Sequence, residues 1–300
     1  MWLLLSFVSA TLLGFYDTSK KAALKDNAVL PVLLLNTLFS TLIFSPVLIG
    51  DITGAGWYEE AAGTAEGYST LHAHLAVILK ACIVLSSWIA GYFGLKHLPI
   101  TIVGPINATR PVLVLLGAMI LFGERLNWCQ WTGVILAIIS IFLMSRSSKK
   151  EHIDFKRNRW ILCVAVATIM GAVSGLYDKY IMKELSPLFV QSWFNLYQLI
   201  LMCIICASIW YPTRHETTPF RWKWSIPLIS IFITAADFAY FNALSDSGSM
   251  ISVVSLVRRG SVLISFACGV LIFKERNLKA KILDLALILI GMIFIYFGSR

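Results

Sequence analysis

Charge is scarce in this chain. Lys, Arg, Asp and Glu make up 14% of its 300 residues, against roughly 25% in soluble domains. Apolar residues take their place, at 58% of the total. They come in long runs that recur along the whole length, and a soluble fold of this size has too little interior to hide them all. The runs also lack polar–apolar alternation, which excludes the strands of a membrane barrel. What is left is an all-α integral membrane protein, with helices of about 20 residues crossing a hydrocarbon layer of about 30 Å.

Catalytic and metal signatures are missing as well. There is no P-loop, no H-E-x-x-H, no G-x-S-x-G and no cysteine–histidine cluster. That argues against a membrane enzyme and against ATP-driven pumping by this chain. Cys203 and Cys206 form a C-x-x-C, but inside LMCIICASI, where metal and redox chemistry lack the polar, accessible surroundings they need. His72 and His74 are two residues apart and point to different helix faces, a poor metal pair. No metal and no cofactor is expected. The N-terminal MWLLLSFVSATLLGFYD has no basic n-region and no clear cleavage motif, so it reads as a retained helix and not a signal peptide.

The net charge is +9. Most basic residues lie between the apolar runs, a mark of membrane topology and not of nucleic-acid binding. Ten helices are expected: Trp2–Ala23, Leu30–Ile49, Leu71–Leu95, Pro99–Phe122, Trp128–Ser145, Trp160–Met182, Pro187–Trp210, Trp224–Leu244, Ser249–Phe273 and Leu278–Phe297. The halves repeat. Gly14-Phe15-Tyr16-Asp17 matches Gly175-Leu176-Tyr177-Asp178, Tyr92-Phe93 matches Tyr240-Phe241, and Phe122-Gly123-Glu124-Arg125 matches Phe273-Lys274-Glu275-Arg276, in the same order. Five spans per half is an odd number, so the copies enter the membrane from opposite sides, the inverted repeat of secondary transporters. The expected organisation is a first five-helix repeat over 1–146, a basic linker over 147–158 and a second repeat over 159–300. Lys and Arg crowd the odd-to-even connections and the linker, which places those in the cytoplasm and both termini outside.

With these segments in hand, the chain resembles the EamA-type members of the drug/metabolite transporter superfamily. The resemblance is carried by Phe122-Gly123-Glu124-Arg125-Leu126-Asn127-Trp128-Cys129-Gln130-Trp131-Thr132-Gly133. The second copy keeps Glu275 and Arg276 but loses the Trp and Gly. It implies transport of a small molecule across a plasma membrane, here a bacterial inner membrane, by a monomer or homodimer. It also implies cytoplasmic termini, against the charge count.

A charge in the membrane interior costs at least about 2.5–3.5 kcal/mol, so each is a functional candidate. The cations are Lys80, Arg110, Arg258 and Arg259, and the acids include Asp17, Asp178 and Asp237. Arg110 and the Arg258-Arg259 pair hold near-equivalent places in the two copies. A guanidinium offers a planar fork of donors suited to carboxylate or phosphate, so these cations are candidates to clamp an anionic substrate. Internal pairing, Arg110 with Asp17 or the arginine pair with Asp237, is the alternative. Triose-phosphate translocators, a related branch, resemble this layout, with a basic residue on helix four and a basic pair on helix nine holding phosphate. Asn107 lies three residues before Arg110. Gln191, Asn195 and Gln198 share one helix face, as a cavity lining or as an interhelical hydrogen-bond stripe. Tyr240 and Asn242 are candidates to shape the cavity. Asp17 and Asp178 read as gating or ion-pair partners of Lys20, Lys21 and Lys179, with proton-titrating sites as the alternative, and Lys80 as a substrate ligand or a side chain that snorkels to an interface. Gly171 and Gly175 form a G-x-x-x-G of the kind that packs helices closely.

Overall fold

We analysed a computed structural model of the chain. It describes residues 1–62, 70–97, 106, 109–146, 159–216 and 218–261, with scattered positions from 264 to 298. The described residues are helical, joined by short turns. The helices are α1 (Trp2–Leu24), α2 (Val29–Thr53), α3 (Gly56–Ala62), α4 (Leu71–His97), α5 (Arg110–Phe122), α6 (Trp128–Arg146), α7 (Arg159–Ile181), α8 (Pro187–Ile205), α9 (Ser225–Ser245) and α10 (Ile251–Arg259). Past Ile205, α8 continues through a π-turn at Cys206–Trp210 into Tyr211–Thr213. Among the described residues, five stretches are long and apolar enough to span a bilayer: Val29–Thr53, Leu71–Gly91, Trp160–Ile181, Pro187–Thr213 and Ser225–Ser245. The short α3 lies in a connection where no helix was expected.

The chain divides into two compact units. One takes Met1–Cys82 and Asp178–Ser247, the other Ile83–Tyr177 and Gly248–Arg300. Each therefore draws on both sequence halves.

In the first unit α1 runs along α9, and α2 runs along α8 and α9. Lipid is as apolar as leucine, so membrane helices associate through close packing and polar bonds, not through the hydrophobic effect. Small residues make that approach possible. Ser9 on α1 is fully buried, and its hydroxyl donates to the Ala236 carbonyl on α9 at 2.7 Å. Tyr16, Ala23, Val32, Ile226, Ile229 and Ile233 close the core between α1, α2 and α9. One asparagine fixes the α1–α2 turn. Asn27 Nδ2 donates to the carbonyls of Ala23 (3.1 Å) and Arg221 (2.7 Å), and its Oδ1 accepts from the amides of Ala28 (2.9 Å) and Arg221 (2.8 Å). That fills the capacity of a carboxamide and ties the turn to the segment entering α9. Ser186 caps α8, accepting from the Phe189 amide at 3.2 Å, with Pro187 in the first turn, where its missing N–H costs nothing.

In the second unit α4 and α7 pack through small residues. The Ser87 hydroxyl donates to the Ala167 carbonyl at 2.7 Å, and Gly94 meets Val164 so closely that a Cβ would lie 2.3 Å from its Cγ2. The motif that carries the family resemblance builds a junction here. Gly123 ends α5 in the left-handed region, φ 64°, which glycine adopts without strain. Glu124 follows and caps α10. Its Oε1 accepts from the Ile251 amide at 2.7 Å and its Oε2 from the Ser252 amide at 3.2 Å, with the Ser252 hydroxyl donating to it as well. A carboxylate at a helix N-terminus satisfies orphan donors and opposes the positive end of the dipole. Asn127 and Gln130 then start α6 with a reciprocal capping box. The Gln130 amide donates to Asn127 Oδ1 (2.9 Å) and the Asn127 amide to Gln130 Oε1 (3.0 Å).

Because Glu124 holds α10, Glu124→Ala should cost about 2 kcal/mol and lower the thermal midpoint of the detergent-purified protein by several degrees. The exposed neighbour Arg125 serves as control: Arg125→Ala should leave the midpoint unchanged.

Candidate functional site

The intramembrane charges divide between the two units. Arg110, Arg258 and Arg259 belong to the second, and Lys80, Asp178, Asp17 and Asp237 to the first.

Arg110 opens α5. Its Nη2 donates to the Gly171 carbonyl on α7 at 2.7 Å. A Cβ on Gly171 would lie 2.7 Å from Arg110 Cζ and 2.9 Å from Nε and Nη1. The first glycine of the G-x-x-x-G therefore makes room for a guanidinium. Arg258 and Arg259 end α10 and are half-buried. α5 packs on α10, and Glu124, just past the end of α5, holds the start of α10. The two helices therefore run antiparallel. At 1.5 Å per residue Arg259 lies roughly 12 Å from Ile251, and Arg110 roughly 20 Å from Gly123. All three arginines sit in the half of the pair away from Glu124. Asn107 lies outside the described residues.

Lys80 is 2% exposed. Its ammonium pairs with the Asp178 carboxylate and sits 4.5 Å from the ring centroids of both Phe194 and Phe241. Two aromatic faces and one carboxylate thus replace its hydration shell. It does not snorkel. The neighbouring lysine is not Asp178's partner either: Lys179 Nζ donates to the carbonyls of Leu244 (3.2 Å) and Asp246 (3.4 Å), a cation at the negative end of α9.

The polar face of α8 is buried in a seam with α2 and α9. Gln191 Nε2 donates to the Thr234 carbonyl at 2.7 Å and Asn195 Nδ2 to the Ser40 carbonyl at 3.5 Å. The Thr234 hydroxyl reaches Ser40 Oγ at 3.0 Å, and the Ser230 hydroxyl reaches Asn36 Oδ1 at 3.0 Å. Gln191 Oε1 and Gln198 Nε2 are buried and make no hydrogen bond among the described residues. Tyr240 is buried. Asn242 lies near the end of α9 and donates to the Phe238 carbonyl at 2.8 Å. Asp17 is exposed and Asp237 partly so.

One cluster escaped the sequence reading. Trp193 Nε1 donates to Asp51 Oδ2 at 2.7 Å, and Tyr197 Oη lies 2.9 Å from His74 Nδ1. The spacing Phe189, Trp193, Tyr197, four residues apart on one helix, is the signal that could have marked it. Nearby Tyr58 on α3 is buried, and burial, together with the Asp51 charge, pushes its phenol well above the usual range. No group of three or more metal-ligating side chains occurs among the described residues.

The EamA-like transporter family matches this chain twice, over residues 1–146 and 158–297. The chain belongs to that family. Several of its helices are long and apolar enough to cross a bilayer, as in a multi-pass membrane protein. It is similar to an uncharacterised transporter of Archaeoglobus fulgidus, 24% identical over 151 residues, an alignment that spans 49% of this chain and 49% of that relative. In fold it is similar to a protein of known crystal structure, with a TM-score of 0.74 at 16% identity, covering 100% of this chain and 97% of the other.

The Lys80–Asp178 pair makes a sharp prediction. Lys80→Met leaves a buried carboxylate without its counter-ion and should destabilise the protein by about 3–5 kcal/mol. The double variant Lys80→Met/Asp178→Leu should recover most of that loss in a detergent unfolding experiment.

Proposed function

We propose that this protein is a secondary transporter that moves a small organic anion, such as a phosphorylated metabolite, by alternating access through a central cavity. In this reading ten helices form two inverted five-helix repeats, 1–146 and 159–300, joined by the basic cytoplasmic linker 147–158 in a bacterial inner membrane. The observation that carries it is the gathering of Arg110, Arg258 and Arg259 in one half of the antiparallel α5–α10 pair. Arg110 donates to the Gly171 carbonyl, and a planar guanidinium fork suits a carboxylate or phosphate held with the arginine pair. Lys80, Asn107, Gln191, Asn195, Gln198, Tyr240 and Asn242 extend the proposed substrate path, and Asp17, Asp178 and Asp237 gate it. Gln191 Oε1 and Gln198 Nε2 support this role for α8, since both are buried polar atoms able to meet a ligand.

The bond from Arg110 to Gly171 also favours a second reading, in which the arginines are structural and the cargo is an amino acid, a neutral metabolite or a lipid-linked compound. Uptake into liposomes, measured over a panel of anionic and neutral metabolites, separates the two. A charged hydrogen bond is worth about 1.5–3 kcal/mol, so Arg110→Gln and Arg259→Gln should each cut anion uptake roughly tenfold to a hundredfold. Equal uptake of an identified anion by wild type and both variants would sink the anion clamp, and neutral uptake indifferent to both would select the second reading. Gly171→Ala is the finer probe. Its Cβ meets the far end of the Arg110 side chain and no backbone, so it should raise KM for the anion while the thermal midpoint stays near that of wild type.

A further inference from the structure

The aromatic cluster on α8 uses none of the residues of the proposed substrate path. His74, in the first turn of α4, is half-buried against it. Its ring lies edge-on to Trp193 with centroids 4.4 Å apart and 5.3 Å from Phe189. Its Nδ1 meets Tyr197 Oη at 2.9 Å. Trp193 in turn donates to Asp51, in the last turn of α2. A chain of contacts thus runs from α2 through α8 to α4, all within the first unit. Of the titratable groups near the imidazole, Tyr197 from α8 touches it and Asp51 from α2 acts on it from behind Trp193, while Tyr58 from α3 faces Asp51. Of the side chains in the cluster, the imidazole is the one whose ordinary range lies near neutral pH, so a change of charge there falls on His74.

We infer that His74 is a proton-binding site whose neutral form latches the start of α4 to α8. In the neutral ring with its proton on Nε2, Nδ1 accepts the Tyr197 O–H. Proton uptake turns Nδ1 into a donor, so the phenol hydrogen must turn away. It also places a full charge on a half-buried ring that has lost part of its hydration. The Asp51 carboxylate, one indole away, limits that cost and keeps the site titratable. Acid therefore loosens the latch and base closes it. The ligand is the proton itself, and the site holds whether or not the cargo is an anion.

Two measurements on the purified full-length protein test this without a cargo. An imidazolium in contact with an indole quenches its fluorescence, whereas neutral imidazole does so weakly. Lowering the pH from about 8 to about 5, across the histidine range, should reversibly remove up to one tenth of the emission, since Trp193 is one of ten tryptophans. The drop should vanish in His74→Gln and in Trp193→Phe. No drop in wild type, or one that persists in His74→Gln, overturns the site. The thermal midpoint of wild type should exceed that of His74→Gln by its largest margin at high pH, and the margin should shrink on acidification. A margin that does not change with pH overturns the latch.

Discussion

A lysine and an aspartate buried together inside a membrane helix bundle impose the strongest constraint on this structure. Each ion alone would lose several kcal/mol of hydration on burial. Together they are tolerated only if the geometry is tight and the rest of the shell is favourable. Here Lys80 meets Asp178, with Phe194 on α8 and Phe241 on α9 presenting their faces to the ammonium. Four helices are thereby committed to one point. The registers of α4 and α7 follow from it, and the polar seam of α2, α8 and α9 lies on the same α8 and α9 that supply the rings. Moving any of the four helices by a turn would strand a charge in an apolar interior.

The second unit depends on a different device. The segment from Gly123 to Gln130 contains little that could bind a substrate. It ends one helix, caps a second and starts a third, using a left-handed glycine, a carboxylate and a capping box. The family resemblance thus rests on residues whose work is to turn the chain. The arginines owe their common location to this junction, since Glu124 sets the direction of α10 relative to α5.

Periodicity and apolar length made the helices legible from sequence, and the boundaries of α1, α2 and α9 fall within a few residues of expectation. The polar face of α8 was also visible, because i, i+4, i+7 spacing is a local property. Partners were not. Asp178 was assigned to adjacent lysines because adjacency is what a sequence displays, yet its partner is 98 residues away, and Lys179 turned instead to the carbonyls that end α9. Gly171 read as a helix-packing residue, and only the fold shows that a guanidinium fills the space. The His74 cluster stayed hidden because its members come from α2, α4 and α8, and no single stretch holds two of its polar pairs.

The seat of Arg110 on Gly171 has a consequence for movement. A carbonyl in the middle of an α-helix already accepts from the amide four residues on, so the guanidinium is its second donor. When Arg110 swings away, the carbonyl keeps its helical bond and no buried acceptor is orphaned. A carboxylate in the same place would have become a naked charge on separation. The glycine therefore gives the arginine a seat whose carbonyl does not depend on it for a hydrogen bond.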